Sequence, residues 1–126
     1  MSTKQSNATT QQVADRLVEL CSTGKFEQAQ EELFAEDVVS IEPESSQMPE
    51  KKVEGLNAIK EKGKQFQSMV KENHSLTVSE PLVMGNYFSV ALGMDVTMKD
   101  GKRSQMDELI VYHVKDGKVV SEQFFY

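Results

Sequence analysis

Residues 87–126 read YFSVALGMDVTMKDGKRSQMDELIVYHVKDGKVVSEQFFY, and the way this stretch pairs with itself decides the fold. Its first segment alternates with hardly a break: Phe88, Val90, Leu92, Met94, Val96 and Met98 on one side, Tyr87, Ser89, Ala91, Gly93, Asp95 and Thr97 on the other. Successive side chains of a strand point to opposite faces, so this period of two predicts a long, half-buried β-strand. Lys-Asp-Gly-Lys then occurs twice, at 99–102 and 115–118. Asp-Gly takes positive backbone angles readily and favours two-residue hairpin turns, which predicts a three-stranded antiparallel meander.

The two turns imply a register. Pairing Lys99 with Lys102 sets Phe88 opposite His113, Val90 opposite Val111, Leu92 opposite Leu109 and Met94 opposite Asp107. Pairing Lys115 with Lys118 sets His113 opposite Val120, Val111 opposite Glu122, Leu109 opposite Phe124 and Asp107 opposite Tyr126. The expected inner face is therefore Phe88, Val90, Leu92, Met94, Val96, Leu109, Val111, Val120, Phe124 and Tyr126, interrupted by Asp107, His113 and Glu122. Helices are expected to cover it, because it is the more apolar face. The other face carries Ala91, Met106, Ile110, Tyr112, Val114, Val119 and Phe125 among Ser89, Asp95, Glu108, Ser121 and Gln123. That face is too apolar for comfortable solvation, and a homodimer through it is expected.

Upstream the period is helical. Val13, Leu17, Leu20 and Cys21 recur at spacings of three and four and stop before Gly24, a good helix terminator. A shorter helix follows with Phe26, Ala29, Leu33 and Phe34 as its buried positions, and a third carries Leu56, Ile59, Gly63, Phe66, Met69 and Val70 on one side. Between them Val38–Pro43 reads as a short strand ending in a carboxylate, with Glu42 on the face of Val38 and Ser40. The polar ESSQMPEKK after it reads as a loop.

Composition narrows the function classes. A chain of 126 residues with 38% hydrophobic content makes one domain with a real core, placed at 10–126 behind a polar, disordered tail at 1–9. With 20 acidic against 14 basic residues and a net charge of -6, the surface repels phosphate backbones and anionic lipid, so neither nucleic acid nor membrane is expected as a partner. Cys21 is the only cysteine, STKQSNATT lacks the apolar core of a secretory signal, and a cytoplasmic setting is expected. His74 and His113 lie on different elements and the glycines form no phosphate loop, so no metal and no cofactor are expected. Cys21, on an apolar helical stripe, reads as a small core residue.

LFAEDVVSIEP, then VEGLNAIKEKGKQF, then a meander closing with ELIVYHVKDGKVVSEQFFY resemble, in this order and spacing, the SnoaL-like group of the nuclear transport factor 2-like superfamily, which includes the ketosteroid isomerases. The resemblance spans about residues 10 to 126. It implies an α+β fold in which a cone-shaped, curved antiparallel sheet wraps over three N-terminal helices around a pocket, in a chain that is usually dimeric. It also implies a carboxylate general base immediately before the proline, the place of Glu42 beside Pro43. Moving a proton between carbons of an enolisable ketone needs such a base and donors for the enolate oxygen. The family's first-helix tyrosine donor falls on or near Leu17, so that role is vacant, and its second donor falls close to Asp107, with Leu109 the competing position.

Glu42, Asp107 and Tyr126 are accordingly the candidate catalytic residues. Leu17, Phe66, Phe88, Val90, Leu92 and Met94 are candidate ligand contacts, with Leu109, Val111, His113, Glu122 and Phe124. Each has a plainer reading. Glu42 also fits an exposed strand end, His113 a packing residue at the sheet rim, Asp107 and Glu122 ion-pair partners of Arg103, Lys118 or His113, and Tyr126 a core filler. The expected function is a pocket for a small apolar, carbonyl-containing ligand, with isomerase or cyclase chemistry on Glu42. The alternative is a non-catalytic binding or dimeric protein-interaction module.

Overall fold

The computed structural model describes residues 8–126. The tail expected at 1–9 falls, up to position 7, outside the described residues; Thr9 caps the first helix, α1 (Thr10–Ser22), in a reciprocal pair with Gln12. α1 buries Val13, Ala14, Leu17, Leu20 and Cys21, the stripe expected from spacing. It ends where Gly24, at φ 77°, turns the chain so that its N–H reaches the Cys21 carbonyl. α2 (Phe26–Leu33) leads directly into β1 (Phe34–Ile41), which starts earlier than the spacing of apolar residues implied.

β2 (Lys52–Glu54) pairs with β1, α3 (Leu56–Met69) follows, and β3 (Val70–Val78) begins at once. Val70 thus opens a strand instead of closing a helical stripe, and Met69 beside it is exposed. β4 (Leu82–Met84), β5 (Tyr87–Met98), β6 (Arg103–Lys115) and β7 (Lys118–Phe125) complete an open seven-stranded sheet in the order β2-β1-β7-β6-β5-β3, with β4 beside β5. The architecture is α+β, as expected, but the sheet is mixed: β1 and β7 run parallel. All other pairs are antiparallel.

The meander is present, with β6 turned over. Phe88 faces Tyr112, Val90 faces Ile110 and Leu92 faces Glu108, one residue away from the register expected from Lys99–Lys102. The cause is the first turn. Met98 and Lys102 are the bonded pair, so three residues connect the strands; Gly101 alone takes positive φ, 90°, and the Asp100 carboxylate accepts the Lys102 N–H at 2.9 Å. In the second copy Asp116 and Gly117 are both positive, at 52° and 75°, the two-residue turn that was expected. Because side chains alternate, a one-residue slip exchanges a strand's faces. Ile110, Tyr112 and Val114 are buried, while Asp107, Leu109, Val111 and His113 share the outer face.

β7 keeps Glu122 and Phe124 on the inner face by a different route, and exchanges Val120 for Val119. A bulge between its pairings with His113 and Val114 puts Val119 and Glu122, rather than Val120, inward. Val13, Leu17, Val38, Ile59, Phe88 and Val119 are the centre of the core between the helices and the sheet.

Candidate functional site

Along β1 the inward positions are Val38 and Ser40, both fully buried, and the next residue in phase, just past the strand, is Glu42, 8% exposed. Glu42 thus lies on the face of Val38 and Ser40, as strand alternation implies. Its two oxygens are both engaged: Tyr126 donates its hydroxyl to Oε1 at 2.7 Å and Lys62 donates to Oε2 at 2.8 Å. The Lys62 ammonium also donates to Ser40 Oγ at 3.1 Å and lies 5.2 Å above the Phe124 ring. Ser40, with its oxygen already accepting from Lys62, bonds Glu122, its register partner across the parallel β1–β7 pair.

Between this cluster, the three helices and the inner sheet face lies a cavity of about 750 Å³, within the range of small-molecule sites. Leu17, Phe66, Val90 and Leu92 line it, together with Met94, Glu122 and Phe124. Phe88 is packed beneath it, its ring stacked on Tyr112 at 4.7 Å. Tyr112 and Ile110, outward in the register expected from the two turns, form part of the wall.

Four expected site residues lie on the opposite face of the sheet. Asp107 accepts a bond from Gln105 at 2.8 Å in solvent, Leu109 is 45% exposed, Val111 is partly covered, and His113 stacks on Tyr87 at 4.4 Å. The cause in each case is the three-residue turn at 99–101. Tyr126 is half exposed and reaches the site only through its hydroxyl.

The same slip brings Glu108 inward, a residue of the outer face in the register expected from the two turns. Glu108 and Glu122 both line the cavity, and each carboxyl is pushed up to about 7. Burial is the largest cause for both. For Glu108 the charges of Glu42 and Glu122 add to it; for Glu122 the charge of Glu42 adds, against the Ser40 hydrogen bond and Lys62. Lys62 was missed as well, although Ile59, Lys62, Gly63 and Phe66 form one helical stripe. Cys21 borders the cavity with its thiol raised to about 12 by burial, which makes it unreactive. Among the described residues no group of three or more His, Cys, Asp or Glu side chains could hold a metal ion, and no helix is long and apolar enough to cross a membrane.

The model of the SnoaL-like domain family matches residues 8–126. A crystal structure from Mesorhizobium loti, named as a candidate SnoaL-like polyketide cyclase, is 33% identical, with 94% of this chain and 100% of that one covered and a TM-score of 0.87. A protein of unknown function with a cystatin-like fold from Xanthomonas campestris is 14% identical over 94% of this chain and 90% of that one, TM-score 0.77. A protein with a ketosteroid isomerase-like fold from Catenulispora acidiphila, solved with trimethylamine, is 13% identical over 94% and 87%, TM-score 0.70. The last two are similar in fold alone. A comparison with curated proteins found no match.

Proposed function

Since this chain belongs to the SnoaL-like domain family, we propose that its cavity takes a small apolar, carbonyl-containing compound and moves a proton on it by acid–base chemistry, as an isomerase or cyclase does. The observation that carries this reading is the pair of carboxyls, Glu108 and Glu122, held in one cavity with affinities for protons near neutrality. A group that titrates near the working pH is the most effective proton carrier, and neighbouring carboxyls lose their protons one after the other.

Glu122 is the base in this scheme, because the Ser40 hydrogen bond favours its ionised form. It takes a proton from the carbon beside the carbonyl; the C–H electron pair becomes the enolate double bond and the carbonyl π pair moves onto oxygen. Glu108, still protonated, delivers its proton to a second carbon, and exchange with water restores the pair. Glu42, expected from the resemblance to be the base, has both oxygens engaged by Lys62 and Tyr126 and serves here to hold Lys62 and raise the two cavity carboxyls. Incubation of a panel of enolisable ketones in D₂O tests the scheme: deuterium should enter the α-carbon with the wild type and not with Glu122→Gln. Loss of exchange in Glu42→Gln with none in Glu122→Gln would return the base to Glu42.

The reading extends to a homodimer. Leu109 and Phe125 are cross-strand partners on the outer face, each 45% exposed, and Tyr87, Leu82 and Met84 continue that exposed apolar surface.

A further inference from the structure

We infer that the Lys62 ammonium is the group that holds the ligand's oxygen as it gains negative charge; the inference rests on the proton-transfer reading above. An ammonium has three N–H donors. Lys62 spends two, on Glu42 at 2.8 Å and Ser40 at 3.1 Å, and among the described residues no third acceptor lies in reach. Lys62 and the Phe124 ring below its nitrogen both border the cavity. Lys60 and Lys64 border it too, but their ammonium groups pair with Glu27, Glu31 and Glu61, whose side chains are at least half exposed. Lys62 is hardly more covered than Lys60, 18% of its side chain exposed against 19%, but its carboxylate partner, Glu42, is buried at 7%, so Lys62 is anchored inward.

Proton abstraction removes the negative charge from Glu122 and places it on the ligand oxygen. Lys62 reaches Glu122 through Ser40 and meets the oxygen with its remaining N–H, so one fixed cation serves the charge before and after the step. Such a donor is already oriented before reaction and costs little reorganisation. Glu42, paired on the other side at 2.8 Å, keeps the ammonium in place.

The test uses the whole protein and two probes of one shape: 4-nitrophenol, which ionises to an oxyanion, and 4-nitroanisole, which does not. Binding is measured by absorbance from pH 5 to 9 for the wild type, Lys62→Gln and Lys62→Arg, each first shown by melting to be folded. A hydrogen bond to a charged group is worth enough to predict at least about a tenfold loss of phenolate affinity in Lys62→Gln. Lys62→Arg should retain most of that affinity, and 4-nitroanisole should bind all three alike within about twofold. Equal losses for both probes, or no loss of phenolate affinity, overturn the role of Lys62. Failure of 4-nitroanisole to enter the wild-type cavity overturns the pocket reading and this inference with it. A phenolate preference in a protein that exchanges no deuterium into ketones supports the Lys62 site while removing the chemistry proposed for it.

Discussion

Replacing Glu122 by glutamine should make the protein more stable at pH 8 while abolishing the proton exchange proposed above. Glu122 is 5% exposed and its carboxyl is raised from 4.5 to about 7. Between those values the unfolded chain releases the proton and the folded chain retains it. The folded state then binds more protons, so stability falls as pH rises from about 4.5 through about 7, and the full penalty applies above that. At about 1.4 kcal/mol per pH unit, the step from 4.5 to about 7 corresponds to roughly 3 kcal/mol. Glutamine is nearly isosteric, offers Ser40 an acceptor and has no charge to desolvate. Removing the Glu122 charge also relieves Glu108, which it helps to raise. For a domain of this size the gain is on the order of 10 °C in Tm at pH 8 and close to nothing at pH 4.5. Glu32 and Asp95, lowered by Arg16 and Arg103, act with the opposite sign at more acid pH and leave this window clear. Thermal melts of wild type and variant at intervals from pH 4.5 to 8 measure the difference. Parallel curves, with no divergence above pH 5, would refute the burial of an acid that titrates near 7.

Glu42→Gln removes a charge that adds to burial in raising both cavity carboxyls, so the limbs of the pH–rate profile of the proposed exchange should move to lower pH, with a lower maximum because Lys62 loses its ionic anchor. Gly93→Ala places a Cβ 2.7 Å from Thr77 Oγ1 and 3.1 Å from Asp107 Oδ1 and should cost about 1–2 kcal/mol in urea unfolding, recovered in part by adding Thr77→Ala. Gly101→Ala forces a side chain into φ 90° and should cost about 1 kcal/mol or more, whereas the open space around Gly63 lets Gly63→Ala stabilise α3 by up to about 1 kcal/mol. In sedimentation velocity the wild type should run as the proposed dimer and Leu109→Asp, on the exposed outer face, as a monomer; an unchanged sedimentation coefficient would move the interface elsewhere.

Periodicity revealed what depends on one element at a time. The α1 stripe, the inward face of β5 and the side on which Glu42 lies follow from spacing within a segment, and the structure has them so. Facing across a hairpin depends on the length of its turn, and Lys-Asp-Gly-Lys is compatible with two lengths. In the first copy Asp100 bonds the Lys102 N–H and keeps its own φ out of the positive region; in the second Asp116 adopts it. Nothing within the tetrapeptide separates the two outcomes, and Asp107 and His113 were placed inward for that reason. Glu108 was legible only as a member of the Met106, Ile110, Tyr112 set, and Lys62 only by admitting a charged residue to a buried stripe. The family fold was readable across the chain; the chemistry depends on contacts between segments that spacing does not measure.

The turn at 99–101 leaves β6 with two usable sides. Its inward set, with Ile110, Tyr112 and Val114 buried, builds a wall holding one acid; its outward set combines two apolar residues, Leu109 and Val111, with one acid, Asp107, and the imidazole of His113. Deleting one residue from that turn would exchange them, presenting Asp107 and His113 to the cavity without altering a single inward residue of β5. A scaffold of this kind carries a second pocket lining in reserve, and relatives that differ by one residue at this hairpin would differ in which acid faces the ligand more than their sequence identity implies.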